Sequence, residues 1–116
     1  MRIIYWNCRR AGRPSTVRTL KALARSEGPD VFFVAETKAK YLKIDKLKNR
    51  MGFADCCCVD SRGKVGGLAL FWKVGVELEV VFSNKNAIVA LIYSDPSECA
   101  WLLIAVHGSL VHGKEA

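Results

Sequence analysis

The sequence lacks an apolar run long enough to cross a membrane, because no stretch approaches the roughly 20 apolar residues that a spanning helix needs. It also lacks a signal peptide, since the opening segment reaches Asn7, Arg9 and Arg10 before an apolar region can form. These absences predict an intracellular protein with no membrane partner. The nucleus is one candidate compartment.

The cysteines fit neither a disulfide framework nor a standard zinc site. Five are present, an odd number, and none are spaced as C-x-x-C. In the run Cys56-Cys57-Cys58, adjacent side chains of a strand point to opposite faces, which disfavours shared coordination of one ion. We therefore interpret this run as small apolar strand residues, with zinc binding as the alternative.

Phosphate-binding loops of the G-x-x-x-x-G-K-[ST] and G-x-G-x-x-G types are absent, as are internal repeats and linkers. With 116 residues and 51% hydrophobic content, the chain fits one domain, or part of one, with a substantial core. We therefore treat residues 1–116 as a single structural unit.

Positive charge is concentrated in the first half. Residues 1–50 hold 13 basic and four acidic side chains, a balance of +9, whereas residues 51–116 hold five basic and seven acidic ones. This asymmetry favours a polyanionic partner such as nucleic acid. Alternatively, the lysines around residues 43–48 only solvate a helix.

Two apolar segments each end on a polar side chain that carries oxygen. The first runs from the start of the chain to Asn7, and the second covers residues 31–35 and ends at Glu36. Between them, Ser15 is a candidate N-cap for a helix that Gly28-Pro29 ends. A strand–helix–strand unit places its strands in parallel through a right-handed crossover. We therefore expect Asn7 and Glu36 at the same edge of the sheet.

The rest of the chain predicts one more helix and several short strands. A helix is expected over residues 42–51, with Leu42, Leu47 and Met51 facing inward and Ile44 outside that stripe. Strands are expected over residues 53–59, 67–72, 76–82, 87–93 and 100–106, forming an antiparallel meander. Gly66-Gly67 suits a close backbone approach. No further element is predicted after His107.

Glu36 and Asn7 carry the clearest chemical signal. A carboxylate at the end of a buried strand needs a cation, a donor or water. Together with an amide oxygen it suits Mg²⁺ or Mn²⁺. The alternatives are an ion pair of Glu36 with Lys38 or Lys40, and a turn-closing role for Asn7.

Three segments together resemble the endonuclease/exonuclease/phosphatase superfamily, and most of all the endonuclease domains of plant LINE-type (non-LTR) retrotransposons. They are Tyr5-Trp6-Asn7-Cys8-Arg9, the stretch from Pro29 to Lys38, and Gly66-Gly67-Leu68-Ala69-Leu70-Phe71-Trp72. The resemblance implies an α/β fold, the N-terminal half of a four-layer, DNase-like α/β sandwich. In this chain it would form one mixed sheet with two flanking helices.

The resemblance also implies a site and a reaction. Asn7 and Glu36 match the residues that bind a divalent metal, Mg²⁺ or Mn²⁺, and His107 matches a contact to the phosphate. The reaction is metal-assisted hydrolysis of a phosphodiester in DNA. Arg10 departs from the glycine usual at its position.

Residues 1–116 would form a partial domain, truncated before the Asp-x-Asn and Ser-Asp-His segments that complete the family's site. Three hypotheses follow: a catalytically incomplete nuclease fragment, a non-catalytic basic nucleic-acid-binding module, and a phosphatase of the same fold. Truncation would leave an apolar sheet face exposed and favour self-association. The candidates for that face are Trp72, Phe82, Tyr93 and Trp101.

Overall fold

A computed structural model of the chain describes residues 1–63, 65–94 and 99–107, together with the backbone of residues 109–114. Ten elements follow one another along the chain. They are β1 (Ile3–Asn7), α1 (Pro14–Glu27), β2 (Val31–Ala35), α2 (Tyr41–Met51), β3 (Asp55–Val59), β4 (Leu68–Trp72), β5 (Leu78–Ser83), β6 (Ala87–Ile92), β7 (Trp101–Val106) and β8 (Ser109–Lys114).

The first sheet is mixed and has the strand order β1-β2-β4-β3. Strands β1 and β2 are parallel, with Ile3 opposite Val31 and Asn7 opposite Ala35, as the strand–helix–strand pattern predicted. Strand β4 then pairs antiparallel with both β2 and β3. The predicted mixed sheet with two helices is therefore confirmed.

A second sheet contains β5 to β8 in chain order, and all of its strands are antiparallel. The expected single meander is thus wrong in its extent, because β3 and β4 belong to the first sheet. The chain changes sheet between Trp72 and Leu78 through a turn at Gly75, whose φ is 94°. The segment after His107 was expected to add no element, but it forms β8 beside β7.

Helix α1 begins two residues earlier than a cap at Ser15 would place it. Arg13 is the N-cap and Pro14 occupies the first turn, where its missing N–H costs nothing. The helix ends as predicted on Gly28, which adopts the left-handed conformation and donates its N–H to the Ala24 carbonyl at 3.2 Å.

Helix α2 is rotated relative to its predicted orientation. Ile44 and Leu47 are buried, whereas Leu42 is 76% exposed. The Leu42–Leu47–Met51 stripe was therefore wrong at its first member, because Ile44 takes the inward position. No helix within the described ranges is long and apolar enough to span a membrane.

Strand β2 is buried on both faces because it lies between two apolar layers. Phe32 and Val34 point toward the helices, and Val31, Phe33 and Ala35 point toward the second sheet. Buried side chains of β6 and β7 in the second sheet pack against them: Ile88, Ala90, Ile92, Leu103 and Ala105. The layers are therefore helices, mixed sheet and antiparallel sheet, which agrees with the predicted α/β class.

The predicted exposed aromatic face is only partly correct. Trp72 and Trp101 pack against the core between the sheets. Phe82 and Tyr93 are 54% and 39% exposed. A bulge in β5 between Val80 and Phe82 shifts the register and places Phe82 opposite Val89.

Candidate metal and phosphate site

Asn7 and Glu36 come together at the carboxyl edge of the mixed sheet. Asn7 is the last residue of β1 and lies opposite Ala35, the residue directly before Glu36. The ladder continues one step further, since the Cys8 N–H donates to the Ala35 carbonyl at 3.1 Å. The parallel pairing thus fixes both residues at one edge, as expected.

The Asn7 side chain has an unmet hydrogen-bonding capacity. Its Oδ1 atom is buried and accepts no hydrogen bond from any described residue. Buried polar atoms nearly always have a partner, and an unpaired one costs about 1–3 kcal/mol. An acceptor left open at a strand edge fits a cation or a donor that binds there. It does not fit the turn-closing role, which would engage the oxygen locally.

Glu36 is half-buried and has an unusual backbone conformation. Its φ is 53°, in the left-handed region that disfavours non-glycine residues. Within the described part of the chain, its carboxylate has no ion pair or hydrogen bond. The alternative of a pair with Lys38 or Lys40 is therefore not found, and the Lys40 ammonium instead donates to the Ser61 carbonyl at 3.3 Å.

The loop after Glu36 is held by backbone contacts to the strand beside it. The N–H groups of Thr37 and Lys38 donate to the carbonyls of Gly67 and Gly66 at 3.1 and 2.8 Å. The Ala11 N–H donates to the Thr37 carbonyl at 2.8 Å. These bonds bring the loop after β1 and the loop after β2 into one structure. The expected close approach at Gly66-Gly67 is confirmed.

Cys8 lies beside this site but does not offer a thiolate. Its Sγ donates to the Glu36 carbonyl at 3.7 Å. Burial is the main factor that raises the pKa of the thiol, to about 11. Cys8 therefore stays protonated near neutral pH and acts as a small packed side chain.

His107 follows β7 and is exposed, and its N–H donates to the Asn86 carbonyl at 2.9 Å. No described hydrogen bond or ion pair joins it to Asn7 or Glu36. The structure thus brings two of the three predicted site residues together at one edge, and the third lies on the second sheet.

Sequence reasoning missed a cavity next to Asn7. It has a volume of about 410 Å³, and Asn7, Arg9, Ser15, Thr16 and Thr19 are among its lining residues. The hydroxyl groups come from the first turns of α1. Ser15 had been interpreted as a helix cap, so the signal was present but was assigned to folding alone.

Among the residues that the structure describes, no group of three His, Cys, Asp or Glu side chains is close enough to hold a metal ion. Glu36 is the acidic residue that directly follows Ala35, the strand partner of Asn7. Any cation here would depend on an amide, one carboxylate and further oxygen ligands such as water.

Residues 4–105 match the model of the Endonuclease/Exonuclease/phosphatase family. The chain belongs to that family. The match contains Asn7 and Glu36 and extends through most of β7, so it includes both sheets up to that strand. No curated protein matches the chain.

Solved structures of two nucleases share the fold. The AP endonuclease LMAP from Leishmania major has a TM-score of 0.65 at 15% identity, covering 93% of this chain and 40% of that one. The catalytic domain of APE2 from Xenopus laevis has a TM-score of 0.56 at 19% identity, covering 91% of this chain and 44% of that one. The chain thus spans less than half the length of these family structures, and the likeness confirms a DNase-like fold.

Proposed function

We propose that this chain is the metal- and phosphate-binding portion of a divalent-metal-dependent endonuclease that acts on DNA. One observation carries the proposal. The buried Oδ1 of Asn7 has no hydrogen-bond partner among the described residues. Asn7 lies at the same strand edge as Glu36, whose carboxylate likewise has no partner among those residues. A site built from open oxygens at the ends of parallel strands is suited to a hard cation.

Glu36 and Asn7 would hold Mg²⁺ or Mn²⁺. A bound ion of this kind supplies charge neutralisation and polarisation at a phosphate. The chain's own contribution is positional: the left-handed backbone at Glu36 turns the strand end, and the Gly66-Gly67 carbonyls fix the loop that follows. We assign His107 a second contact to the phosphate, reached from the antiparallel sheet.

We further propose that the chain alone is catalytically incomplete. Supporting this, it spans 40% of the Leishmania structure. A general base contributes typically 10²–10⁴-fold to the rate, and this site offers one carboxylate. We also propose a retrotransposon origin, which the resemblance to LINE-type retrotransposon endonucleases supports, with the basic first half facing the DNA.

The metal site is tested with Mn²⁺ as a paramagnetic probe. In ¹⁵N-labelled protein, Mn²⁺ should broaden the amide signals of Cys8 and Thr37 first, because these residues flank the site. Glu36→Gln should abolish this selective broadening, whereas Glu77→Gln, which changes an exposed acid just before β5, should retain it. Equal broadening in both variants would show that the site does not hold the ion.

Catalytic incompleteness is tested by nicking of a supercoiled plasmid in Mg²⁺. We expect negligible nicking by the 116-residue chain. Robust Mg²⁺-dependent nicking that Glu36→Ala abolishes would show that the chain alone is catalytically complete, and it would support the metal site at Glu36.

The second candidate function is a non-catalytic module that binds nucleic acid. A cavity of about 400 Å³ favours it, because four of its lining residues, Arg10, Arg13, Lys38 and Lys43, are cationic and none is acidic. DNA binding in EDTA that weakens with salt, without cleavage in Mg²⁺, would support this function over the nuclease.

We also propose self-association through the outer face of the second sheet. Val89, Leu91, Leu102 and Ile104 alternate with the buried residues of β6 and β7 and therefore point away from the core. Sedimentation velocity should show oligomers that Leu91→Lys reduces. A monomer at all concentrations would contradict this proposal.

A further inference from the structure

The two helices form a basic groove on the side of the first sheet away from the second. Its cations are Lys43, Lys46 and Arg50 of α2, and its floor includes Ala11, Val17 and Leu47. The cavity has a volume of about 160 Å³. We call this surface the α1–α2 groove.

The three cations share one face of α2 because their spacings are three and four residues. All three are exposed, and no described residue neutralises them. The one acid of the helix, Asp45, is instead paired with Lys48 at 2.8 Å. Like charges at these spacings destabilise a helix by roughly 0.2–0.5 kcal/mol per pair, so a bound polyanion would remove an existing repulsion.

Lys43 connects the groove to the loops beside Asn7 and Glu36. It also lines the adjoining cavity of about 400 Å³, together with Arg10, Arg13 and Lys38. Its ammonium lies over the loop after β1, where a Cβ on Gly12 would come within 2.6 Å of Lys43 Nζ. The basic surface is therefore continuous from the loops after β1 and β2 to the last turn of α2.

The dimensions fit a nucleic acid backbone. Lys43 and Arg50 are seven residues apart, which at 1.5 Å per residue is about 10 Å along the helix. One strand of a duplex carries a phosphate about every 3.4 Å of axis, so about three phosphates would face the groove. A lipid surface would instead require the apolar residues to project, but those of the groove form its floor.

We propose that the α1–α2 groove is a metal-independent binding site for the phosphate backbone of DNA. In this arrangement the duplex flank crosses Lys43 and continues along Lys46 and Arg50. The binding of phosphate in the groove does not depend on the proposed function. The further statement that this DNA is the same duplex held at Asn7 and Glu36 does rest on the proposed function.

The test measures binding of a short fluorescein-labelled DNA duplex by anisotropy, in EDTA, over a series of NaCl concentrations. For the triple variant Lys43→Gln/Lys46→Gln/Arg50→Gln, we expect the slope of log K against log[NaCl] to become shallower by about 2–3. Affinity at low salt should fall at least tenfold.

The chain contains a matched control. Arg18, Lys21 and Arg25 of α1 have the same spacing and are exposed, but they line neither the groove nor the adjoining cavity. Arg18→Gln/Lys21→Gln/Arg25→Gln removes the same charge and should leave the slope nearly unchanged. Lys43→Arg/Lys46→Arg should retain wild-type binding, and circular dichroism checks that each variant is folded.

Several outcomes would overturn the proposal. They are an equal loss of DNA affinity in both triple variants, no loss of affinity in either, or binding through the groove to phosphatidylserine vesicles in place of DNA. If Mn²⁺ does not bind at Glu36 but the groove triple variant shows the shallower salt slope, only the nuclease proposal is wrong. If Mn²⁺ binds at Glu36 but the groove triple variant keeps the wild-type salt slope, only the groove proposal is wrong.

Discussion

The hydroxyl of Thr37 lies directly against the Cα of Gly67. A methyl group added to Gly67 would overlap Thr37 Oγ1 and come within 3.1 Å of the Lys38 amide nitrogen, which is backbone and cannot move aside. Gly67 also has φ of 96°, which side chains rarely adopt. This close approach lies in the loop that follows Glu36, which backbone hydrogen bonds from Thr37 and Lys38 to Gly67 and Gly66 hold in place.

Gly67→Ala should therefore destabilise the chain. Overpacking costs about 1–3 kcal/mol, and the left-handed backbone adds about 1 kcal/mol. We expect the free energy of unfolding to fall by about 3 kcal/mol in urea denaturation. Thr37→Ala in the same chain should recover part of this loss, because it removes one of the two overlaps.

The control for Gly67→Ala is Gly63→Ala. Gly63 has φ of 60°, but a Cβ there would meet nothing within 4 Å. Gly63→Ala should therefore lower the free energy of unfolding only by the cost of the left-handed backbone, about 1 kcal/mol. Equal losses at the two positions would show that crowding against Thr37 is unimportant.

Helix α2 offers a test of its orientation. Ile44 is fully buried and Leu42 is 76% exposed. Ile44→Ala should lower the free energy of unfolding by about 3 kcal/mol through a core cavity. Leu42→Ala should change it by less than about 0.5 kcal/mol. Thermal unfolding of both variants measures the difference, and the reverse order would restore the orientation predicted from the sequence.

The part of the site that depends on local sequence patterns could be predicted from the sequence alone. Asn7 and Glu36 each end an apolar strand, and the helix between those strands requires parallel pairing. Their shared edge follows from these two facts. The close approach at Gly67 was likewise visible as paired glycines in front of a strand.

The remaining features depend on partners distant in the chain. Strands β4 and β5 follow one another in the chain and are joined by a short turn, yet they belong to different sheets, because each pairs with strands that are not fixed by its own sequence. Ile44 and Leu42 differ in burial only because of how α2 lies over the sheet. Lys43 has the spacing of an ordinary helix lysine, and it lines both the α1–α2 groove and the adjoining cavity only because α2 packs beside the loop after β1.

The Asn7 oxygen, which has no partner among the described residues, should reduce stability in the absence of a ligand. Asn7→Leu has a similar volume and removes the buried acceptor, so it should raise the free energy of unfolding in EDTA by about 1 kcal/mol. Asn49→Leu, on the exposed face of α2, is the control and should stay within about 0.5 kcal/mol. A loss of stability in Asn7→Leu would mean that the oxygen has a partner in solution.

Cys8 makes stability depend on pH in the alkaline range. Its pKa rises from 9.0 to about 11 on folding because the thiol is buried. Below pH 9 the thiol is protonated in both states, and the stabilisation is fully present. Between pH 9 and about 11 the unfolded chain loses this proton first, so stability falls by about 1.4 kcal/mol per pH unit from this group.

Cys8→Ala removes that contribution, so its unfolding free energy should decline less steeply than the wild type's over this interval. Urea denaturation at closely spaced pH values gives both slopes. Other groups titrate in the same range, but they are common to both proteins and cancel in the comparison. Leu42→Ala, which carries no titrating group, should keep the wild-type slope. Parallel slopes for Cys8→Ala and the wild type would mean that the thiol reaches solvent in the folded state and that the loop after β1 opens.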